Sequence, residues 1–442
     1  MDGSSIWRRK ESWYLLVYAL LLIVSSIVNL GYLAVVGYLV LSFLILRSGS
    51  YMGIIYLIMM YYLPAQGLNI PRVFLVSSVL VTLFNFHYVF STAGYKKMKE
   101  FVILFIIFTL LMILSGTHIV DGKTFDFYLF FLVYSIIHIV LCNNLVQKEE
   151  DVDFCLRWWG VLGALGAIVG YIHFSLQGQV YLTSIVNADF AGKVNLNSAD
   201  SDLWVRWIVC GAEPNFVGLN MLIPLGISIY YLTRKINIYN VLMVLINYLG
   251  LLGTYSRSSF IASLVLVFLF VVFSKSSKKI LIILGSIAAS FLLIKFFPDF
   301  IDRINTIQNS IETSGGNGRF ERWSIAIEAW EDHPVLGIGL GQMRHYSVLQ
   351  DVTHNSFLDI LAEGGLFAFV VFVSICVLYL VDSYRYYRKK GVSLFFVTGV
   401  AFIINMNSVS QYDYRILLSL FLLFFVKYKN TKKCPQQFIP TV

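Results

Sequence analysis

Residues 101–116 read FVILFIIFTLLMILSG and residues 279–294 read KILIILGSIAASFLLI. These runs decide the fold class, because a helix that crosses a bilayer needs about 20 mostly apolar residues. Similar runs recur along all 442 residues, of which 58% are hydrophobic and only 13% are charged. A soluble domain carries roughly a quarter charged residues. The composition excludes a soluble enzyme, a disordered chain and a nucleic-acid binder, and it predicts an all-α polytopic membrane protein.

The apolar runs predict about 12–14 transmembrane helices, the lower number applying if the crowded N-terminal runs merge. No cleavable signal peptide is expected, because the first run is followed at once by another without a small-residue cleavage site. The runs lie near 13–29, 31–47, 51–66, 73–92, 101–117, 127–146, 157–177, 215–232, 238–254, 257–274, 279–297, 356–381, 393–409 and 412–428.

Basic residues predict the orientation, since cytoplasmic loops carry an excess of Lys and Arg. With the N terminus inside, alternation of the helices places 22 of the 33 Lys and Arg residues on the cytoplasmic side. Both termini are therefore predicted to lie in the cytoplasm, and topology explains the net charge of +8. The five cysteines are odd in number and mostly lie within apolar runs, so they indicate no disulfide framework.

Loop lengths place the functional face outside, because the inside connections are short and two outer segments are long. Loops of that length in a compact protein are usually functional or disordered, and the aromatic residues in these two favour order. The predicted organisation is N-terminal transmembrane helices (1–177), a first long periplasmic loop (178–214), central transmembrane helices (215–297), a second, partly helical periplasmic loop (298–355), C-terminal transmembrane helices (356–428) and a cytoplasmic tail (429–442).

Two groups of polar residues precede predicted outer helix starts. Arg206 and Glu213 come before Pro214 and Asn215, and Pro suits the first turn of a helix because its missing N–H would have no helical partner there. Arg257 follows in a tight turn at the membrane surface, where an Arg is costly unless it pairs or faces a wet cavity. The alternatives are an ordinary helix start and an interfacial anchor.

A third group begins with residues 316–323, GNGRFERW, which carry Arg319 and Arg322. Apolar side chains at helical spacing predict an amphipathic helix at the outer interface that ends by Pro334. We expect this stripe to serve packing and membrane contact rather than substrate stacking. Residues 337–341, GIGLG, indicate a tight turn, because no strand precedes them as a dinucleotide fingerprint requires. The stripe comprises Phe320, Trp323, Ile327 and Trp330.

A fourth group surrounds His354. Ser356 with Asp359 three residues later resembles a capping box that opens the next helix. The positive end of the helix dipole favours a neutral His354, the form that a general base requires. Asp359 and Glu363 are four residues apart and share a helix face, which must point inward at that depth. The alternative is a structural histidine; we count the neighbouring Asn355 among the substrate-binding candidates.

A metal-dependent enzyme, a transporter and a structural scaffold are the alternative classes of protein. His333, His345, Asp351 and His354 are loosely spaced and lack a ligand pattern such as HExxH, so we predict no metal and no cofactor. A transporter would place ionisable residues near the bilayer midplane, on interrupted helices related by repeats, whereas these charges lie at the outer edge and no repeat is found. A structural scaffold would not explain the clustered arginines.

Taken together, these residues resemble the signature of the O-antigen ligase and O-antigen polymerase superfamily. The order of the groups also matches, and the similarity covers about 200–380. One departure is Ala368, which stands where the family often has glycine, and a small residue preserves close helix packing. The likeness is carried by His354-Asn355-x-x-Leu358, Glu363-x-Gly365, Arg319-x-x-x-Trp323 and Pro334-x-x-Gly337-x-Gly339-x-Gly341.

The resemblance implies a GT-C-like glycosyltransferase of the bacterial inner (cytoplasmic) membrane with a periplasmic active site. Its donor would be a glycan on undecaprenyl pyrophosphate, its acceptor a second glycan, and its other partners the lipid bilayer, a flippase and a chain-length regulator. Polymerases of the superfamily join repeat units, whereas ligases transfer finished chains to lipid A-core. Family roles carry over to Arg206, Arg257 and Arg319 as pyrophosphate contacts and to His354 as the residue that activates the acceptor.

The chemistry agrees with that implication. Arginine forks fit phosphate oxygens and would neutralise the leaving group without a metal, and direct attack would invert the anomeric configuration. We favour a polymerase because polymerases are the more diverse group, with a ligase as the alternative and a transporter third. The candidates are His354, Arg257 and Arg319 as catalytic residues and Arg206, Glu213, Asn215, Arg322, Asn355, Asp359 and Glu363 as substrate-binding residues.

Overall fold

The computed structural model describes most of the chain from residue 99 onward. Its described ranges are 99–145, 149–186, 214–254, 256–274, 319–346, 352–410 and 414–430, with single positions between 12 and 24. These ranges contain helices and no strand, which confirms the predicted all-α polytopic membrane class. In them, four helices are long and apolar enough to cross a membrane, and four further apolar helices have 10–17 residues. The spans predicted at 31–47, 51–66, 73–92 and 279–297, and most of 13–29, lie outside the described residues.

We number the described α-helices in chain order. Short 3-10 helices follow two of them, Ser115–His118 after α1 and Met406–Ser408 after α10. The α-helices are α1 Lys99–Leu114, α2 Gly122–Leu145, α3 Glu149–Val186, α4 Pro214–Arg234, α5 Ile238–Gly253, α6 Arg257–Phe273, α7 Arg319–Asp332, α8 Met343–Tyr346, α9 Ser356–Lys390, α10 Leu394–Asn405 and α11 Arg415–Asn430.

Most of these bounds agree with the predicted spans within a few residues, but those of α3 and α9 do not. Helix α9 ends at Lys390, nine residues past the predicted end of its span at 381. Helix α3 continues to Val186, nine residues past the predicted end of its span at 177, so the segment assigned to the first long loop begins as helix. The polar residues after 174 lower the local hydropathy, yet no proline interrupts the hydrogen bonding of the helix. The hydropathy therefore predicted only the apolar part of α3, and the more polar residues that extend this helix were not included in the predicted span.

Helix α4 lies in the middle of the bundle, where it contacts α3, α5, α6 and α10. Small residues allow this close packing, as expected for helices in lipid. A Cβ atom on Gly163 would overlap the ring of Pro224 on α4, and one on Gly226 of α4 would overlap the side chain of Thr398. The side chain of Asn247 on α5 donates to the carbonyl oxygen of Gly160 at 3.1 Å and ties α5 to α3.

One end of the bundle gathers the starts of α4, α6 and α9, the end of α10, and α7 with α8; we call it the site end. The Nδ2 of Asn405 donates to the Oγ of Ser259 at 3.0 Å, and the Oγ of Ser356 donates to the carbonyl oxygen of Val409 at 2.5 Å. These two bonds attach the start of α6 and the start of α9 to one segment, 405–409.

Candidate functional site

Helix α9 is broken at Gly365, which has φ 72° and ψ −177°. This combination is essentially accessible only to glycine. A Cβ atom on Gly365 would also overlap the carbonyl group of Val335, so the loop after α7 lies directly against the break. The break divides α9 into a buried half-helix, residues 356–364, and a longer helix, residues 366–390.

The loop 334–341 is hydrogen-bonded to the broken backbone of α9. The N–H of Leu366 donates to the carbonyl oxygen of Pro334 at 2.9 Å, and the N–H of Ile338 donates to that of Ala362 at 2.9 Å. The predicted tight turn is confirmed, because the three glycines of GIGLG all have φ between 73° and 105°. The two glycine-containing motifs of the sequence are therefore two halves of one structural unit.

Two buried carboxylates lie on the inward face of the half-helix, as their spacing predicted. Asp359 is 2% exposed and Glu363 is 1% exposed. The Oε1 of Glu363 accepts the N–H of Met343 at 3.1 Å, and the Oδ1 of Asp359 accepts the hydroxyl of Thr353 at 2.7 Å. These bonds attach the loops on both sides of the site to the half-helix.

The predicted capping box of Ser356 and Asp359 is wrong, because the N-cap of α9 is Asn355. Its Oδ1 accepts the N–H groups of Phe357 at 3.0 Å and Leu358 at 3.3 Å. Asn and Ser cap helices about equally well, so composition alone did not separate the two positions. Ser356 instead uses its hydroxyl to contact the segment 405–409.

His354 directly precedes this cap and is partly exposed. Its φ of 54° lies in the left-handed region, and His354 is the one non-glycine residue with positive φ among the described residues. The flanking residues hold this conformation, since the Oγ1 of Thr353 accepts the N–H of Asn355 at 2.9 Å. The imidazole is thus presented at a turn beside a helix start, as the sequence predicted.

Helix α7 is the predicted amphipathic helix and begins at Arg319. Its contact with α9 differs from the expectation, because the small residues Ala326 and Ala329 make the contact while Phe320 and Ile327 are 55% and 42% exposed. Small side chains let two helices approach more closely than an aromatic stripe would. The exposed apolar residues remain available for the predicted membrane contact.

One hydrogen bond joins α7 to the loop that carries His354. The indole Nε1 of Trp323 donates to the carbonyl oxygen of Thr353 at 3.1 Å. Arg319 and Arg322, four and one residues before Trp323, are both partly buried. The structure therefore links the helix that carries these two arginines to the histidine turn.

Arg257 is the first residue of α6, after the N-cap Ser256. It is partly exposed and forms no hydrogen bond or ion pair within the described part of the chain. The next turn of α6 is fixed by hydroxyl groups, since the Oγ of Ser259 donates to that of Ser256 at 3.0 Å and accepts from Asn405. A well-anchored helix start thus presents a guanidinium that has no partner in the described ranges, an arrangement suited to an anion.

Of the remaining candidates, Asn215 lies at the start of α4, which begins at Pro214 as predicted. Gly218, one turn further along, packs against Ser259, so the starts of α4 and α6 are neighbours. Arg206 and Glu213 lie outside the described residues.

Sequence reasoning missed two residues that organise the site end. Thr353 bonds to Asn355 across His354, and a hydroxyl two residues before a helix cap was the available signal. Gln342 is 1% exposed, and its Oε1 accepts the N–H groups of Val120 and Asp121 at 2.9 and 2.8 Å. No local pattern reveals a contact between residues so far apart in the chain.

The histidines considered for a metal site have other neighbours. The ring of His333 packs on that of His118 with centroids 4.7 Å apart, and the Nε2 of His345 lies 3.4 Å from the Oδ2 of Asp121. Across the ranges that the structure describes, no three His, Cys, Asp or Glu side chains converge to hold a metal ion.

The helices and the site end define a multi-pass membrane protein whose arginine and histidine candidates are linked at one end of the bundle. Residues 241–373 match the family model described as O-antigen ligase. The match confirms the predicted resemblance to the O-antigen ligase and polymerase superfamily, and it contains Arg257, α7, the glycine loop and the break in α9. It supports a glycosyltransferase-like enzyme of ligase or polymerase type in surface polysaccharide assembly. No curated protein matches the chain.

Proposed function

We propose that this protein is an inner-membrane glycosyltransferase that polymerises oligosaccharide repeat units carried on undecaprenyl pyrophosphate. The reaction takes place on the periplasmic face, and both termini lie in the cytoplasm. The observation that carries the proposal is the joining of three elements: α7 is bonded to the His354 turn through Trp323, and the Arg257 turn shares the segment 405–409 with the start of α9.

In the proposed reaction, the imidazole of His354 accepts the proton of an acceptor sugar hydroxyl. The oxygen attacks the anomeric carbon, the bond from that carbon to the pyrophosphate oxygen breaks, and the electron pair leaves with the pyrophosphate. Attack opposite the leaving group inverts the anomeric configuration. The protonated His354 then releases its proton to solvent, so atoms and charges balance.

Arg257 and Arg319 stabilise the leaving pyrophosphate in this proposal. A guanidinium offers two parallel N–H donors to phosphate oxygens and remains charged at every physiological pH. Groups fixed in place before reaction stabilise developing charge without reorganisation, which is commonly the largest contribution to catalysis. The start of α6, held by its hydroxyl network, meets this requirement for Arg257.

Transfer of the finished polymer to lipid A-core is the second candidate, favoured by the description of the matching family as O-antigen ligase. The two activities differ in their products. Purified protein given only a lipid-linked repeat unit should form a ladder of lengthening lipid-linked chains if it is a polymerase. Product formed only after lipid A-core is added would contradict polymerisation and establish the ligase. A flippase and a chain-length regulator are the partners that a polymerase would need.

The His354→Gln variant tests the base. It should lower turnover by about 10²–10⁴-fold while the donor still binds, because the proposed pyrophosphate contacts lie elsewhere. Wild-type turnover of this variant would show that His354 is not the base.

A further inference from the structure

Thr353, the residue before His354, links the histidine turn to the half-helix. It is 0% exposed, and its hydroxyl donates to the Oδ1 of Asp359 at 2.7 Å. The same Oγ1 accepts the N–H of Asn355, and the N–H of Thr353 donates to Asp359 at 3.3 Å. One buried side chain thereby joins the two residues that flank His354 and attaches both to the half-helix.

This arrangement explains the backbone of His354. A non-glycine residue at φ 54° costs free energy, of the order of 1 kcal/mol, and persists only where its surroundings impose it. Because Thr353 and Asn355 are bonded to each other across His354, the chain between them must turn tightly. The bond from Trp323 to the carbonyl oxygen of Thr353 fixes the turn from the side of α7.

The burial of Asp359 supports the same interpretation. Its carboxylate also interacts with the side chains of Ser410 and His354, and burial of a carboxylate is unfavourable for stability unless it is paired. The Oδ1 of Asp359 accepts hydrogen bonds from the N–H and the hydroxyl of Thr353. The structural effect of Asp359 is thus to hold the histidine turn, at a cost in fold stability.

We propose that Thr353, anchored by Asp359, is a positioning residue that sets the orientation of His354 toward the acceptor hydroxyl. This inference rests on the proposed role of His354 as the base. Thr353 is fully buried and acts through the turn, so it affects the rate of the chemical step and leaves donor binding unchanged.

Thr353→Val keeps the shape of the side chain and removes its hydroxyl, whereas Thr353→Ser keeps the hydroxyl. We expect the Val variant to lower kcat by about 10- to 100-fold with an unchanged KM for the donor, and the Ser variant to restore most of the activity. Thr398→Val is the matched control, because Thr398 is 0% exposed and its hydroxyl has no hydrogen-bond partner in the described residues. A Thr353→Val enzyme with the kcat of wild type would overturn the proposal.

Hydrogen–deuterium exchange supplies a readout that does not depend on catalysis. In Thr353→Val, the amides of a peptide covering 352–358 should exchange faster, while a peptide from 368–380 of the same helix should be unchanged. Unchanged exchange at 352–358 would show that the hydroxyl does not hold the turn.

The double variant separates the positioning proposal from the base assignment. If Thr353 acts only through His354, adding Thr353→Val to the slowed His354→Gln enzyme should cause no further loss of its residual turnover. Multiplied losses would overturn positioning through His354 and leave the base assignment intact. Full activity of His354→Gln alone would instead overturn the base assignment.

Discussion

The N–H of Leu366 donates to the carbonyl oxygen of Pro334 at 2.9 Å, although the two residues lie on opposite sides of the histidine turn in the sequence. In an unbroken helix, this N–H would bond to the carbonyl of Ala362, which here accepts the N–H of Ile338. At the break, a hydrogen bond within the helix is thus replaced by two hydrogen bonds to the loop 334–341. The glycines around the break in α9 are required by the backbone geometry. We therefore assign the proposed chemistry to His354 and the arginines.

Gly365→Ala should destabilise the fold. Its side chain would overlap the carbonyl group of Val335 at a backbone conformation that alanine cannot adopt without strain. We expect a clearly lower thermal unfolding midpoint in detergent or little folded protein. Gly160→Ala is the control, because its Cβ would meet the nearest atoms at 3.5–3.7 Å, an ordinary contact distance. Equal midpoints for the two variants would contradict the docking of the loop on the break.

Arg257→Ala should lower transfer by about 10²–10³-fold without lowering the unfolding midpoint, because Arg257 forms no bond within the described residues. Arg257→Lys should restore activity only partly, since an ammonium group lacks the planar fork. Arg385→Ala, at an exposed position near the other end of α9, should match wild type in both measurements. Undiminished turnover of Arg257→Ala would remove Arg257 from the site.

Trp323→Phe should slow transfer by roughly 2- to 10-fold, because it removes the hydrogen bond between α7 and the histidine turn. Trp330 on the same helix supplies the control, since its indole N–H has no partner in the part of the chain that the structure describes. Trp330→Phe should therefore keep its turnover. Steady-state rates of the two purified variants test this, and an equal loss would indicate a general effect on α7.

The hydrogen bond between Tyr346 and Asp332 should stop stabilising the fold at alkaline pH. The hydroxyl of Tyr346 donates to the carboxylate of Asp332, and this bond raises the pKa of Tyr346 from 10.0 to about 12. The stabilisation is present below pH 10 and is lost as pH rises toward 12, because the unfolded chain loses its proton first. The midpoint difference between wild type and Tyr346→Phe should therefore be smaller at about pH 11 than at about pH 8. An equal difference at both pH values would show that folding does not raise the pKa of Tyr346.

The topology can be tested with cysteines placed at exposed positions, in a background without the five natural ones. Val120, 78% exposed, lies at the site end, and Lys389 is exposed near the opposite end of the bundle. An impermeant thiol reagent should label Val120→Cys in intact spheroplasts and Lys389→Cys only after permeabilisation. The reverse pattern would place the proposed active site in the cytoplasm.

Helix positions were largely predictable because apolar runs and Pro214 are local signals. The break in α9 was not, because two glycines inside an apolar helix are equally consistent with unbroken close packing. Likewise, the long-range contact of Gln342 with Asp121 leaves no local trace. The sequence was enough to select groups of neighbouring residues as site candidates. The hydrogen bonds that orient their side chains could be identified only from the three-dimensional structure.

The two parts of the broken helix α9 also have separate roles: residues 366–390 can cross the membrane, and the half-helix 356–364 forms part of the site end. Residues 366–390 form a helix of about 38 Å, which exceeds the roughly 30 Å of a bilayer core without help from the half-helix. Shortening or lengthening that part by a few residues would therefore suit it to thinner or thicker bilayers. His354 would keep its place relative to α7, because its neighbours are bonded to other parts of the site end. Substitutions in one stretch of α9 can thus adjust the fit to the bilayer thickness, and substitutions in another stretch can adjust the geometry toward the acceptor.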